Sequence, residues 1–167
     1  MQNIISKIKN IKLVVFDVDG VMTNGDISYC DDGREIKTFN AKDGQGLSLL
    51  PHYGYITAII TARKSDIVER RAKDLGITHV YQGAKNKLEA LNELLKIYNL
   101  ELNNVCYMGD DLPDLCILDK AGLSCCPHDA VDRVKEISMF VSSKDGGRGA
   151  VRELCDLLID NSSSSEK

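Results

Sequence analysis

Three short runs gather the side chains most able to do polar chemistry. Asp17-Val18-Asp19-Gly20 carries two carboxylates two residues apart, and Gly109-Asp110-Asp111-Leu112-Pro113-Asp114 carries three more. Thr61-Ala62-Arg63 and Lys87 add a hydroxyl, a guanidinium and an ammonium. Singly, each has a structural use. Asp17 and Asp19 suit turns beside Gly20, and Asp111 suits a helix N-cap with Asp114 in the first turn. Thr61 suits a cap, and Lys87 an exposed helix position. Together they ask for more, because unpaired carboxylates at close range raise one another's pKa. A hard divalent cation relieves that repulsion, and Mg²⁺ takes one or two carboxylates plus water and phosphate oxygens. The Thr61 hydroxyl, backbone N–H groups at a helix start and the Lys87 ammonium are phosphate donors. One carboxylate can then attack phosphorus. A second, two residues on, can protonate the leaving oxygen and later activate water.

Those residues serve one site only if the chain brings them together. Residues 12–16 are apolar without alternation and read as a strand buried on both faces, as do 55–60 and 104–108. Weaker strands are predicted at 79–81, 123–125 and 139–141. Residues 87–98 place Leu88, Leu91, Leu94, Leu95 and Tyr98 on one helical stripe. Residues 65–75 turn Ile67, Val68, Ala72 and Leu75 inward and offer a Glu69–Lys73 pair on the solvated side. Residues 150–159 form a last amphipathic helix, and 161–167 a polar, serine-rich tail expected to be disordered alone. Strand–helix alternation predicts an α/β fold, a mostly parallel sheet flanked by helices. Ligands of such sheets bind at the carboxyl ends of the strands. Asp17, Asp19, Thr61 and Asp110 each follow a predicted strand, and Lys87 opens the helix after another.

The chain has 167 residues, enough for one domain over 1–160. Its hydrophobic content of 43% supports a core without staples. A formal charge of −4 argues against a general polyanion binder, so no nucleic-acid partner is expected. No apolar run reaches the ~20 residues of a membrane span. The lysine-rich residues 1–12 hold too short an apolar run for a signal peptide, and the expected location is cytoplasmic. Six cysteines without a CxxC pair read as reduced thiols, Cys106 and Cys125 as buried strand residues. Cys125-Cys126-Pro127-His128 lacks a second ligand pair at zinc-site spacing, which disfavours a metal role there. His52, His79 and His128 show no ligand spacing and read as structural.

The ordered set Asp17-x-Asp19-Gly20, Thr61, Lys87 and Gly109-Asp110-Asp111-x-x-Asp114 resembles the four motifs of the haloacid dehalogenase (HAD) superfamily of phosphatases. The resemblance runs over nearly the whole chain and implies a HAD-like Rossmannoid fold. It implies Asp17 as nucleophile and Asp19 as general acid/base. Mg²⁺ would be held by the Asp17 carboxylate, the Asp19 backbone carbonyl and Asp110. Thr61 and Lys87 would hold the phosphoryl group. Asp111 and Asp114 would stand behind them, Asp114 orienting Lys87 or a metal-bound water. Further stretches narrow the resemblance: Phe39-Asn40 with Asp43-Gly44, Gly76-Ile77, Tyr81-Gln82-Gly83 with Asn86-Lys87-Leu88, and Gly146 through Glu153. They are similar to the 3-deoxy-D-manno-octulosonate 8-phosphate phosphatase family, enzymes of lipopolysaccharide precursor synthesis. Two positions depart from that family's pattern: Ala62 stands where Gly is usual, and Lys42 where Arg is common.

The spacing bears on the substrate. Residues 20–60 hold a helix and a strand, leaving only about 24–39 for an insert. Its Asp32-Gly33 signals a hairpin, so a small flap is expected and no cap domain. A lone hairpin is marginal in water, and the resemblance implies a homotetramer whose flaps complete neighbouring sites. Arg63, beside Thr61, and Arg148, in a Gly-rich turn, are candidate donors to a substrate carboxylate. With Ala62, these complete the expected pocket for a small phosphorylated sugar acid. Three alternatives stay open. One is a nonulosonate 9-phosphate phosphatase, another a non-catalytic oligomerisation module. The third is a phospho-acceptor signalling domain, which would have no need of Asp19.

Overall fold

The structure, a computed structural model, describes residues 2–162, and of residues 2 and 3 the backbone alone. In chain order the elements are α1 (Gln2–Ile8), β1 (Leu13–Phe16), β2 (Ser28–Tyr29), β3 (Glu35–Ile36), α2 (Ala41–Leu49), β4 (Ile56–Ile60), α3 (Asp66–Leu75) and β5 (His79–Tyr81). There follow α4 (Lys87–Tyr98), β6 (Val105–Met108), α5 (Leu115–Leu118), β7 (Leu123–Cys126), α6 (Asp132–Ile137), β8 (Phe140–Val141) and α7 (Ala150–Asp160). Six strands make one sheet in the order β5-β4-β1-β6-β7-β8, and every pairing in it is parallel.

β1 lies at the centre, and its four residues are wholly buried. Alternate side chains enter opposite layers, as strand geometry demands. Val14 and Phe16 join a core with Ile8, Leu47, Val68, Leu154 and Leu158, drawn from α1, α2, α3 and α7. Leu13 and Val15 join the other, with Leu91, Leu94, Ile117 and Val134 from α4, α5 and α6. This double burial is why β1, β4 and β6 lack polar alternation. Parallel strands also deliver all their carboxyl ends to one rim.

The rim is held together from behind. Asn40 accepts from the backbone N–H groups of Lys42 and Asp43 and starts α2. Asp43, buried, in turn accepts from the N–H groups of Gly149 (3.3 Å) and Arg152 (2.8 Å) at the head of α7. Glu153 accepts from Ser142 and Ser143 and fixes the loop before that helix.

Several local expectations change. The Glu69 carboxylate accepts from Gln82 Nε2 at 3.2 Å rather than pairing with Lys73. The first residues of the expected tail are ordered: Asn161 Nδ2 donates to Leu157 O and Ser162 Oγ to Ile159 O at the end of α7. Residues 163–167 of that tail lie outside the described residues. Cys106 and Cys125 are buried as expected. Cys126 is buried too, while His128 is exposed and faces Asp145 at 3.3 Å, so this stretch does not converge on a metal.

Candidate active site

Asp17 follows β1 directly, and its N–H still donates to Met108 O of β6, which ties it to the sheet. The chain then turns sharply, with the N–H groups of Val21, Met22 and Thr23 all donating to Val18 O. Gly20 makes that turn at φ +84°, and a Cβ there would stand 2.0 Å from Asp110 Oδ2. Only glycine meets both demands. The loops after β1 and β6 therefore touch, and Asp17 and Asp110 share one recess.

Asp114 sits beneath them, 1% exposed, with both oxygens committed. Oδ1 accepts from Lys87 Nζ at 2.7 Å and from the Tyr107 hydroxyl at 2.6 Å. Oδ2 accepts from the N–H groups of Asp110 (3.0 Å) and Asp111 (3.2 Å). Gly109 makes room, since a Cβ there would lie 2.4 Å from Asp114 Cγ. Asp111 caps the turn before α5, accepting from Leu112 N–H at 2.7 Å. The structural readings of Asp111 and Asp114 thus hold alongside their position at the site.

Lys87 is the first residue of α4, yet its side chain is buried and inward. Nζ lies 2.9 Å from Asp17 Oδ2 and 2.7 Å from Asp114 Oδ1. Burial works against its charge, but Asp17 and Asp114 outweigh it and hold the ammonium above its ordinary pKa. The solvated reading of Lys87 is thereby excluded. Thr61 follows β4 directly, buried, with its N–H donating to Tyr81 O at 2.9 Å.

The carboxylates remain under-neutralised. Burial first, then the charge of Asp114, push Asp17 up to about 6 despite the pull of Lys87. Burial, then Asp17, Asp114 and Asp111, push Asp110 up to about 8. Buried Asp110 Oδ1 has no hydrogen-bond partner, which is costly for a polar atom. Oxygens of Asp17, Asp110 and Asp114 all lie within 4.8 Å of one another. Because Asp114 already takes four donors, the oxygens left to a cation are those of Asp17 and Asp110. An oxygen-only set with an orphaned buried acceptor fits a hard divalent cation such as Mg²⁺.

The cavity over these groups, about 230 Å³, is lined by Asp17, Asp19, Thr61, Ala62, Arg63, Lys87, Asp110, Asp111 and Asp114 among others. Every expected site residue but Arg148 is there. Arg148 lines a separate polar cavity with Asn24, Ile36 and Phe39. Ala62 adds no backbone strain, because Asn99 is the one non-glycine residue with positive φ among the described residues. Lys42 is exposed on α2 and does not line this cavity.

The flap is smaller than its sequence span. Its strands β2 and β3 are two residues each, paired antiparallel around Gly33. It brings two groups that sequence reasoning missed. Lys37 Nζ donates to Asp19 Oδ1, and Glu35 Oε1 accepts from Arg63 Nη2 at 2.6 Å. Burial would raise Glu35, but the Ser65 hydrogen bond and the charges of Lys37 and Arg63 more than offset it and hold its pKa down. Tyr107 was missed as well, since a strand tyrosine gives no signal beyond its apolar run. Burial and the Asp114 charge keep its hydroxyl protonated.

A parallel sheet with paired aspartates after its central strand, a lysine at a neighbouring helix start and a Gly-Asp-Asp turn opposite defines a class. The chain belongs to the haloacid dehalogenase-like hydrolases, whose family model matches residues 50–154. It is similar to the 3-deoxy-D-manno-octulosonate 8-phosphate phosphatase KdsC of Escherichia coli K12, 45% identical over 94% of this chain and 84% of that protein. A crystal structure of a probable YrbI family phosphatase from Pseudomonas syringae shares 46% identity at TM-score 0.96, covering 99% of this chain and 94% of that one. The corresponding Moraxella catarrhalis phosphatase, solved with magnesium, phosphate and KDO, shares 43% identity at TM-score 0.95, covering 98% and 94%.

The raised carboxylates give a signed pH effect. In the metal-free protein, folded Asp17 and Asp110 keep protons that the unfolded chain, with carboxylates near 3.8, releases. The folded state then binds more protons between about pH 4 and pH 8, so stability falls as pH rises across that window. The melting temperature of metal-free protein should drop from pH 5 to pH 8, and millimolar Mg²⁺ should raise it more at pH 8. A magnesium increment that is the same at both pH values would contradict this electrostatic picture.

Proposed function

We propose that the chain hydrolyses 3-deoxy-D-manno-octulosonate 8-phosphate to the free sugar acid and phosphate, with Mg²⁺, in lipopolysaccharide precursor synthesis. The observation that carries this reading is the 2.9 Å Asp17–Lys87 pair in a pocket that also holds Asp19, Thr61 and Asp110. The relatives' substrate and the magnesium bound to one of them support the particular ester and ion.

Asp17 is the nucleophile. Lys87 holds its carboxylate ionised and aimed, and an oxygen of Asp17 attacks phosphorus to form an aspartyl-phosphate. Asp19 gives a proton to the departing sugar oxygen. It then takes a proton from the water that attacks the phosphorus of phospho-Asp17, releasing phosphate and restoring the carboxylate. Thr61 and Lys87 hold the phosphoryl oxygens through hydroxyl and ammonium donors. The cation would be held by the Asp17 carboxylate, the Asp19 backbone carbonyl and Asp110. When bound, it neutralises negative charge around the transferring group. Asp114 and Tyr107 fix Lys87 from beneath, and Asp111 keeps the turn that carries Asp110. Arg63, beside the phosphate-binding threonine, is the group placed to meet the substrate carboxylate. Arg148 lines another cavity rather than this one.

The enzyme works as a cytoplasmic homotetramer. Its flap exposes Ile27, Tyr29 and Ile36 at 53%, 61% and 48%, apolar surface on a hairpin too short to be stable alone. A neighbouring chain covering that face would support it. Sedimentation should give a tetramer at assay concentrations, and a fully active monomer would remove the oligomeric reading.

Phosphate release from 3-deoxy-D-manno-octulosonate 8-phosphate and from a nonulosonate 9-phosphate tests the substrate directly. The first should be turned over faster, only with a divalent cation, and Asp17→Asn should lower the rate by at least ~10³-fold. Asp17→Asn should leave the melting temperature unchanged or raised, since it removes a repelling charge. Preference for the nine-carbon ester, or substantial turnover by the variant, would count against the assignment.

A further inference from the structure

We propose that Lys37 is a positioning residue for the reaction: its flap-borne ammonium fixes the Asp19 carboxylate for proton transfer. The proposal rests on the reading of Asp19 as general acid and base. Lys37 lies just past β3, in a segment otherwise largely exposed, yet its side chain is only 2% exposed. Its Nζ donates to Asp19 Oδ1 and lies 3.3 Å from Glu35 Oε1. Glu35 extends the connection to Arg63 Nη2 at 2.6 Å, and Arg63 Nη2 stands 3.4 Å from the Tyr29 hydroxyl. Two charged rungs, Lys37–Asp19 and Glu35–Arg63, thus join the flap to the floor of the site.

The pairing is selective for one oxygen. Lys37 occupies Asp19 Oδ1, whereas Arg63 Nε is 4.0 Å from Oδ2, beyond hydrogen-bond length. One carboxylate oxygen is therefore anchored, and the other is left to exchange a proton with the leaving group or with water. A carboxylate that can rotate freely spends less time in hydrogen-bond reach of the atom it serves. The cost of a buried, unpaired ammonium makes the arrangement all-or-none. Buried as it is, Lys37 must have Asp19 as its partner. Two-residue strands contribute little to holding the flap, so these charge pairs help tie it to the domain.

Leaving-group dependence separates a positioning role from a merely structural one. The measurement is kcat/KM across phosphate monoesters, from 4-nitrophenyl phosphate to alkyl and sugar phosphates, for wild type, Asp19→Asn, Lys37→Met and Lys37→Arg. Protonation matters most for poor leaving groups, so Asp19→Asn should lose far more on alkyl esters than on the nitrophenyl ester. Lys37→Met should show the same selective loss, roughly 10-fold or more on alkyl esters, and Lys37→Arg should recover part of it. A loss uniform across all esters, or no loss, overturns the proposal, because a flap that only shapes the pocket affects every ester alike. Should Lys37→Met melt early, Lys37→Arg keeps the test decisive: selective loss on alkyl esters supports positioning, and uniform loss overturns it. If Asp19→Asn itself shows no selectivity, the acid role of Asp19 fails and Lys37 positioning fails with it. If only Lys37→Met lacks selectivity, the Asp19 role stands and this inference alone falls.

Discussion

Carboxylates repel, and this chain places Asp17, Asp110 and Asp114 close enough for their oxygens to lie within 4.8 Å of one another. Buried charges at such range cannot all persist without positive partners. Asp114 has its partners built in: Lys87, the Tyr107 hydroxyl and two backbone N–H groups. Asp17 has half of what it needs in Lys87, and Asp110 has an acceptor oxygen with nothing to accept. The deficit is local and electropositive in what it calls for: a divalent cation, and once that is bound, a dianionic phosphoryl group. Substrate affinity and nucleophile activation are thus two consequences of one imbalance of charge.

The fold exists at this rim to sustain that imbalance. β1 sits between β4 and β6, so the loops after the three strands meet above the sheet centre. β5 and α4 bring Lys87 from the side. Layers of apolar side chains on both faces make the strand ends stiff enough to hold like charges together. Close backbone approaches at Gly20 and Gly109 set how near the carboxylates come. The flap lies outside this frame. It is tied to the site by Lys37 and Glu35 through charge.

How much of this could be read beforehand follows from range of interaction. β1, β4, β5, β6 and α4 fall within about a residue of expectation, because continuous apolar runs and a regular leucine stripe are local signals. Asp17, Asp19, Thr61, Lys87 and Asp110 were legible because each follows a strand end or opens the next helix. α1 was not read: a seven-residue helix with lysine and polar residues gives too short a pattern, although Ile8 enters the core. Short α6 was missed for the same reason, and α5 was foreseen only as a helix that Asp111 could cap. Lys37 was invisible because its role depends on a hairpin folding back onto a turn 18 positions earlier in the chain. Arg148 was placed beside the substrate by composition of its loop, whereas in the structure it lines a separate cavity with Asn24, Ile36 and Phe39. The Ala62 departure carries no backbone strain, since its φ is not positive.

Counting protons released on magnesium binding tests the charge imbalance at its source. Calorimetric titrations of the metal-free protein at pH 7, in buffers of different ionisation enthalpy, give that number per ion. Asp110, pushed up to about 8, holds a proton at pH 7 that a cation must displace. Magnesium binding should therefore release roughly one proton per ion, diminishing toward pH 9. Magnesium binding with no proton release at pH 7, or no binding at millimolar concentration, would contradict it.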